Sequence, residues 1–434
     1  MRREKLGLVG IVSVAALTAA CSSGGGGGGT GGPGGSAKEP AAPVVTITPA
    51  DGTGKAKPEQ GISVKTDIGA LQSVKVQLKG KDVPGAMNAD KTSWKSAWTL
   101  QPNASYTVEA VAAGEQGKTT TATSSFKTLK PASTLGLEYN IPSGGDTVGV
   151  GMPVVLNFDQ PVVDKKAVEK SLVVESKYAN EGAWYWYTDK QVIFRTKKYW
   201  KAYQTIKVTG HLAGVKAAKN VYGASDFTLK FKIGSQSIST VNTKTHRMVV
   251  KVDGKKKWDV GISAGKATER KYTTTSGIHL TMDKKNPETM ISPGIKEGEP
   301  GYYKEIVPYA VRISYSGEYV HSAPWSVGSQ GRANVSHGCV NAPPSFAREY
   351  YGTSKWGDIV DIKGTTRELE FDNGYGWWQK PWKQWILGSA FDKPVSTAPQ
   401  GDPTTAPDAT TPATGTPTTP GTTTPTTPAE SPVA

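Results

Sequence analysis

Apolar and polar residues alternate with a period of two in several separate runs of this chain. Val74, Val76 and Leu78 alternate with Lys75 and Gln77; Tyr106, Val108 and Ala110 alternate with Thr107 and Glu109. Phe227, Leu229, Phe231 and Ile233 repeat the pattern. Successive side chains of an extended backbone point to opposite faces, so each run predicts a strand buried on one side. The Gly, Pro, Asn and Asp residues between runs predict the turns of antiparallel sheets. Two β-sandwiches are expected, over 44–130 and 131–236, the second opening after Lys130-Pro131. A third β-rich block covers 237–391, with strands over 246–252 and 309–315; the second of these alternates Tyr309, Val311, Ile313 and Tyr315. After Pro343-Pro344 the period changes. Phe346 with Tyr350 and Ala347 with Tyr351 share a face at i, i+4, which predicts one short helix stopped by Gly352. Residues 357–362 predict a closing strand. The segment 375–385, with Trp377, Trp378, Trp382 and Trp385, predicts a C-terminal strap packed on the domain.

The two ends lack this patterning. Residues 22–43, rich in Gly, Ser, Ala and Pro, predict a flexible tether, and the Thr, Pro and Ala of 392–434 predict a disordered tail. Residues 1–5 are net basic and 6–20 are apolar and small, too short a run to span a membrane as a mature helix. The run ends Leu17-Thr18-Ala19-Ala20-Cys21, which resembles the lipobox of bacterial lipoproteins. The resemblance implies a signal peptide over 1–21, a lipid on Cys21, and an exported protein held at the outer face of the cell membrane. Apolar residues make up 36% of the chain, and 50 Gly and 29 Pro favour short strands and turns over a helical bundle. The net charge of +14 points to an anionic partner. No nucleic-acid-binding motif accompanies it, so with the export signal the expected partners are the anionic cell wall and the membrane. Each sandwich has the length of an immunoglobulin-like domain without the cysteine pair of antibody domains. Their expected role is to space the third block from the membrane.

The chain has two cysteines, and with Cys21 in the lipobox, Cys339 is left unpaired. Cys339 lies in Ser336-His337-Gly338-Cys339-Val340-Asn341, downstream of His321-Ser322-Ala323-Pro324-Trp325. A free thiol, with a pKa of about 8.5, is only slightly ionised at neutral pH, and a neighbouring imidazole can take its proton. Amides around a glycine turn can face a developing oxyanion, and a helix starting just beyond adds a favourable dipole. Nucleophile, base and oxyanion donors therefore fall within a short stretch. Other features carry less. His211 and His246 read as ordinary residues. The stretch Gly261-Ile262-Ser263-Ala264-Gly265-Lys266 is one residue short of a phosphate loop and lacks its Ser/Thr. No metal-ligand spacing is present.

The pattern of His321, 14 intervening residues, and Ser-His-Gly-Cys-x-Asn resembles the signature of the L,D-transpeptidase (YkuD-type) family. Two immunoglobulin-like domains, a catalytic domain and a Trp-rich C-terminal segment resemble its mycobacterial and related actinobacterial members. The resemblance implies that Cys339 is the nucleophile and His321 its base, oriented by the Ser322 carbonyl. The amides of His337, Gly338 and Cys339 shape the oxyanion hole, and Asn341 braces the loop. It also implies a lid tyrosine at Tyr303, a substrate-facing methionine at Met282, and substrate contacts from Ser336, Asn341 and Trp325. The implied reaction joins third-position residues of peptidoglycan stem peptides, a donor tetrapeptide and an acceptor amine, through a thioester and without a cofactor. Acylation by carbapenem-type β-lactams follows from the same chemistry. An L,D-carboxypeptidase using the same acyl-enzyme, and a non-catalytic wall-binding lipoprotein, are the alternative readings.

Overall fold

The computed structural model describes residues 41–292, 295–300 and 302–399; the lipobox with Cys21, the tether up to residue 40 and the tail beyond 399 lie outside the described residues. The first sandwich pairs Val45–Thr48, Ser63–Thr66, Ser93–Ser96 and Gly85–Met87 in one sheet, and Lys81–Asp82, Ala70–Leu78, Ser105–Ala113 and Thr119–Lys127 in the other. The alternating runs meet as cross-strand neighbours, Val76 opposite Val108 and Leu78 opposite Tyr106. Their inward faces enclose Val64, Leu71, Val76, Trp94 and Phe126.

The second sandwich sets Leu137–Ile141, Val154–Phe158, Gln191–Thr196 and Glu181–Trp186 against Thr147–Val148, Phe227–Ile233, Gln204–Gly210 and Leu172–Ser176. Here the tail expected from residue 392 starts later than its composition predicts. Val395–Ser396 adds to the edge strand Glu181–Trp186. Thr397 is fully buried, its hydroxyl 2.7 Å from Ser176 Oγ and accepting from Asn180 N at 2.9 Å. An open sheet edge carries unpaired backbone groups, and a short polar segment can satisfy them without contributing large apolar side chains.

The third domain holds a five-stranded sheet, ordered Lys255–Gly261, Arg247–Val252, Ser237–Asn242, Ile359–Lys363 and Gly277–Leu280. A second sheet runs Lys284–Lys285, Ala310–Arg312, Tyr319–Ser322 and Val340–Ala342. Between them lie Val241, Val250, Val311, Val320, Val340 and Val360, covered by the helix Pro344–Thr353 through Phe346 and Tyr350. The strand expected over 309–315 ends at Arg312, because the chain turns there: Ile313 N donates to Glu318 O at 2.9 Å, and Tyr315 stands exposed.

The Trp-rich strap packs chiefly on the second sandwich. Trp378, Trp382 and Trp385 donate their indole N–H groups to Gly151 O, Glu181 Oε1 and Ala183 O. The Arg195 guanidinium lies against all three rings and donates to Lys380 O at 2.6 Å. Leu280, Met282 and Ile359 of the third domain join the core of the second sandwich. The domain that carries the cysteine therefore has a continuous apolar foundation beneath it.

Candidate active site

The parallel pairing of Tyr319–Ser322 with Val340–Ala342 sets the site. Val320 sits opposite Val340, His321 opposite Asn341 and Ser322 opposite Ala342. Side chains alternate across a sheet, so the buried valines fill the core beneath while His321 and Asn341 leave by the other face. Continuing the register by one residue brings Cys339 opposite Tyr319, onto the face that bears His321. His321 thus lies on the strand beside the one that opens directly after Cys339.

His321 is almost wholly buried, and its Nδ1 donates to Ser322 O at 2.9 Å. That bond leaves Nε2 unprotonated and able to accept. Burial pulls the imidazole pKa down to about 4, only partly offset by the Ser322 bond. Cys339 keeps some accessible surface, but its sulfur is enclosed, 3.6 Å from Gly317 O and 4.0 Å from Met290 Sδ. Burial pushes the thiol up to about 12, and the charges of Glu318 and Glu305 add to the rise. At rest both the imidazole and the thiol are neutral.

The turn around the cysteine is tied down on several sides. Ser336 Oγ donates to Cys339 O at 2.6 Å and accepts from Gly338 N at 3.1 Å. Thr274 Oγ1 donates to Gly338 O at 2.7 Å. Gly338 has a φ of +139°, a conformation that disfavours any side chain. Of the three amides expected to face an oxyanion, that of Gly338 is engaged by Ser336 Oγ, and no hydrogen bond from those of His337 and Cys339 is found among the described residues. Asn341 exchanges backbone hydrogen bonds with Ser263 and donates from Nδ2 to Ser326 Oγ at 3.1 Å. The stretch 261–266 is therefore a partner of the cysteine loop, bridging Ser263 to Asn341 and Gly265 to Ser336.

The cysteine opens into a cleft of about 680 Å³. Tyr303 lines it and stacks on His337 with ring centres 4.8 Å apart; Tyr272 meets the other side of that ring edge-on at 4.9 Å. Burial raises the Tyr303 phenol to about 12. His337 is held below its ordinary value by burial and by the nearby Lys266 charge.

Four expected substrate contacts are placed elsewhere. Met282 is buried in the core shared with the second sandwich, packed near Gly374. Its alternation with Leu280 on a strand end directs it inward, and the methionine at the sulfur is Met290, on the ribbon Glu288–Ile291 paired with Lys304–Val307. Ser336 and Asn341 are buried braces that hold the turn, so neither reaches the cleft. Trp325 is half exposed and stacks on His321 with ring centres 6.0 Å apart, screening the imidazole outside the cleft wall. Sequence reasoning also missed Met290, Arg312 and Glu318. Glu318 is buried beside the turn and accepts from Thr275 N at 2.7 Å and Thr275 Oγ1 at 2.6 Å. Burial works to raise its carboxyl, and the His279 imidazole 3.7 Å away together with the hydrogen bonds from Thr275 outweigh that and hold it below its ordinary value. The Thr273-Thr274-Thr275 run was the available signal for this bracing.

Comparison with known proteins agrees with this architecture. The bacterial Ig domain family matches residues 53–216 and the L,D-transpeptidase catalytic domain family matches 236–362. L,D-transpeptidase 5 of Mycobacterium tuberculosis is 34% identical over 365 residues, covering 83% of this chain and 80% of that one. L,D-transpeptidase 2 of Mycobacterium tuberculosis is 34% identical over 352 residues, covering 80% of this chain and 85% of the other. L,D-transpeptidase 1 of the same species is 32% identical over 245 residues, which is 56% of this chain and 90% of the relative. With two relatives above 30% identity matched over most of their length, and with the cysteine, imidazole and bracing residues of its signature gathered on one sheet face, this chain is a member of the L,D-transpeptidase family.

Proposed function

We propose that the protein cross-links peptidoglycan stem peptides through a thioester on Cys339. The observation that carries this reading is that His321, its Nδ1 committed to Ser322 O, lies on the strand paired in parallel with the one that opens directly after Cys339. Cys339 Sγ attacks the carbonyl that joins the third residue of a donor tetrapeptide to its terminal D-Ala. His321 Nε2 takes the thiol proton as the carbon–sulfur bond forms. The His337 and Cys339 amides receive the developing oxyanion. The carbon–nitrogen bond breaks, and His321 returns the proton to the departing amine of D-Ala. The side-chain amine of a second stem then attacks the thioester, His321 takes the amine proton, and the sulfur leaves as the thiol. Because imidazole and thiol are both neutral at rest, each step exchanges a proton without leaving a charge buried and unpaired.

The test is incubation with a disaccharide-tetrapeptide, followed by mass analysis. Loss of D-Ala with formation of a dimer is expected, and Cys339→Ala is expected to give neither the dimer nor a carbapenem adduct. A covalent carbapenem adduct on that variant would overturn the assignment of the nucleophile. Release of D-Ala into hydrolysed monomer alone, with acceptor stem in excess, would make the protein an L,D-carboxypeptidase. Export and lipid anchoring through Cys21 belong to the same proposal, with the two sandwiches as spacers between membrane and wall. Labelled palmitate that fails to enter the wild-type protein in cells would remove the anchor.

A further inference from the structure

The cleft is basic, and its cations are not equivalent. Lys271 pairs with Glu269 at 3.2 Å, Lys285 with Glu288 at 3.1 Å, and Arg367 with Glu370 at 3.2 Å. Arg312 also lines the cleft but has no carboxylate partner among the described residues. Its Nε donates to Ser314 O at 3.1 Å, and its guanidinium lies over the Tyr319 ring, 5.3 Å from the ring centre. These two contacts hold the group against the ring, and neither Nη atom has a hydrogen-bond partner among the described residues. A half-buried guanidinium oriented this way is built for bidentate capture of a carboxylate.

The sheet register says where that carboxylate would sit. Arg312 pairs with Tyr319, and Tyr319 falls opposite Cys339 when the parallel register is continued by one residue. Arg312, Tyr319 and Cys339 therefore form one row across three strands, on the face that carries His321. Two strand spacings separate the ends of the row by about 10 Å at the backbone. The guanidinium, against the Tyr319 ring, lines the same cleft as Cys339.

We propose that Arg312 is a specificity-determining residue that binds a free carboxylate next to the reacting groups of the stem peptides. The inference rests on the cross-linking reading of the site. Two carboxylates have this chemistry: the terminal carboxylate of the donor's D-Ala, and a carboxylate on the side chain of the diamino acid, beside the amine that attacks. A donor or acceptor that lacks it leaves the guanidinium unpaired in the cleft and is discriminated against for that reason.

The experiment measures kcat and KM separately for wild type, Arg312→Gln and Arg312→Lys, on three forms of a disaccharide-tetrapeptide. One has all carboxylates free, one ends in D-alaninamide, and one has the diamino-acid carboxyl converted to its amide. Wild type is expected to favour the free form over one of the two amides by about 10- to 100-fold in kcat/KM, mostly in KM. Arg312→Gln is expected to bring that ratio near one, and Arg312→Lys to restore part of it. The amide whose ratio collapses identifies the carboxylate. A ratio within one variant is insensitive to lost folding or a damaged nucleophile, which slow all three forms alike. Undiminished preference in Arg312→Gln, or an active wild type with no preference, overturns the role of Arg312 while the cross-linking reading stands. A wild type that releases neither D-Ala nor D-alaninamide from any form overturns both.

Discussion

The cysteine is framed by two regions of unlike construction. On one side lies the sheet that carries His321, Ser322 and Asn341, all buried, with paired backbones and a valine core beneath. On the other is a two-stranded ribbon, Glu288–Ile291 with Lys304–Val307, whose Ile291 and Ile306 are half exposed or more and whose sheet has no further strand among the described residues. The sheet fixes the distance and tautomer on which proton transfer depends. The ribbon brings Met290 Sδ to 4.0 Å from the sulfur, and Tyr303 beside it stacks on His337; burial is what raises the thiol. The proposed cross-linking, which would admit two stem peptides in turn, is served by this division, because the enclosure can adjust without disturbing Cys339 and His321. If the division holds, substitutions in the sheet cost catalysis, and substitutions in the ribbon change access and ionisation.

The largest expected effect is therefore on the sheet side. His321→Ala removes the base and should lower kcat/KM for D-Ala release by about 10²- to 10⁴-fold. A loss smaller than about tenfold would mean that the proton leaves by another route, with His337 the nearest candidate. The environment of His321 also predicts a pH profile. Its pKa is depressed to about 4, so the neutral form that accepts the proton persists above that value. The acid limb of kcat/KM should accordingly fall near pH 4, with activity level above it. An acid limb near 6.5 would show a solvated imidazole in the free protein. Stability carries the same sign. The unfolded chain takes up the proton near pH 6.5 and the folded one only near 4, so the unfolded state binds more protons between them and stability falls as pH drops through that window.

A smaller effect is expected from the brace. Asn341→Ala deletes the Nδ2 bond to Ser326 Oγ, which keeps its bonds to Ala323 O and Gln330 Nε2. It should cost about 0.5–1.5 kcal/mol of unfolding free energy and lower the rate by loosening the cysteine turn. Equal stability of variant and wild type in chemical denaturation would show that the turn is held elsewhere, by Ser336 and Thr274.

The sheet side was also the more legible part in sequence. Period-two runs located the strands of both sandwiches, the i, i+4 aromatics located the helix over Pro344–Thr353, and the motif of His321 and Cys339 marked the stretch that the fold sets on two paired strands and the turn before them. These signals are local, and local pattern survives folding when one face of an element is buried. The ribbon side depends on pairings that sequence spacing does not encode. Met290 reaches the sulfur, and Tyr303 reaches His337, because Glu288–Ile291 folds back on Lys304–Val307. Met282, in a similar local context, is claimed by the core of the neighbouring sandwich. The strap was legible as packed, but not what it packs on: its tryptophans settle on Arg195 and the edge of the second sandwich, contacts about 200 residues apart in the chain. Thr397 was unreadable for a related reason, since the edge strand it joins selects for backbone groups rather than for side chains.

The smallest expected effect tests the ribbon. Met290 Sδ lies 4.0 Å from Cys339 Sγ, and enclosure is the main reason the thiol sits near 12. Met290→Ala shortens the side chain that covers the sulfur and admits water to it, while His321, the Ser322 bond and the cysteine turn are untouched. The thiol pKa should then fall, because water solvates the thiolate that the methionine excludes. Alkylation of Cys339 by iodoacetamide, followed by mass spectrometry across a pH series, should show its rise shifted to lower pH in the variant. Turnover of the tetrapeptide should change by less than about tenfold, since proton transfer to His321 in the transition state does not require a preformed thiolate. If instead Met290→Ala slowed turnover as strongly as His321→Ala, the ribbon would be part of the reacting geometry, and the two sides of the cleft would have to be treated as one unit.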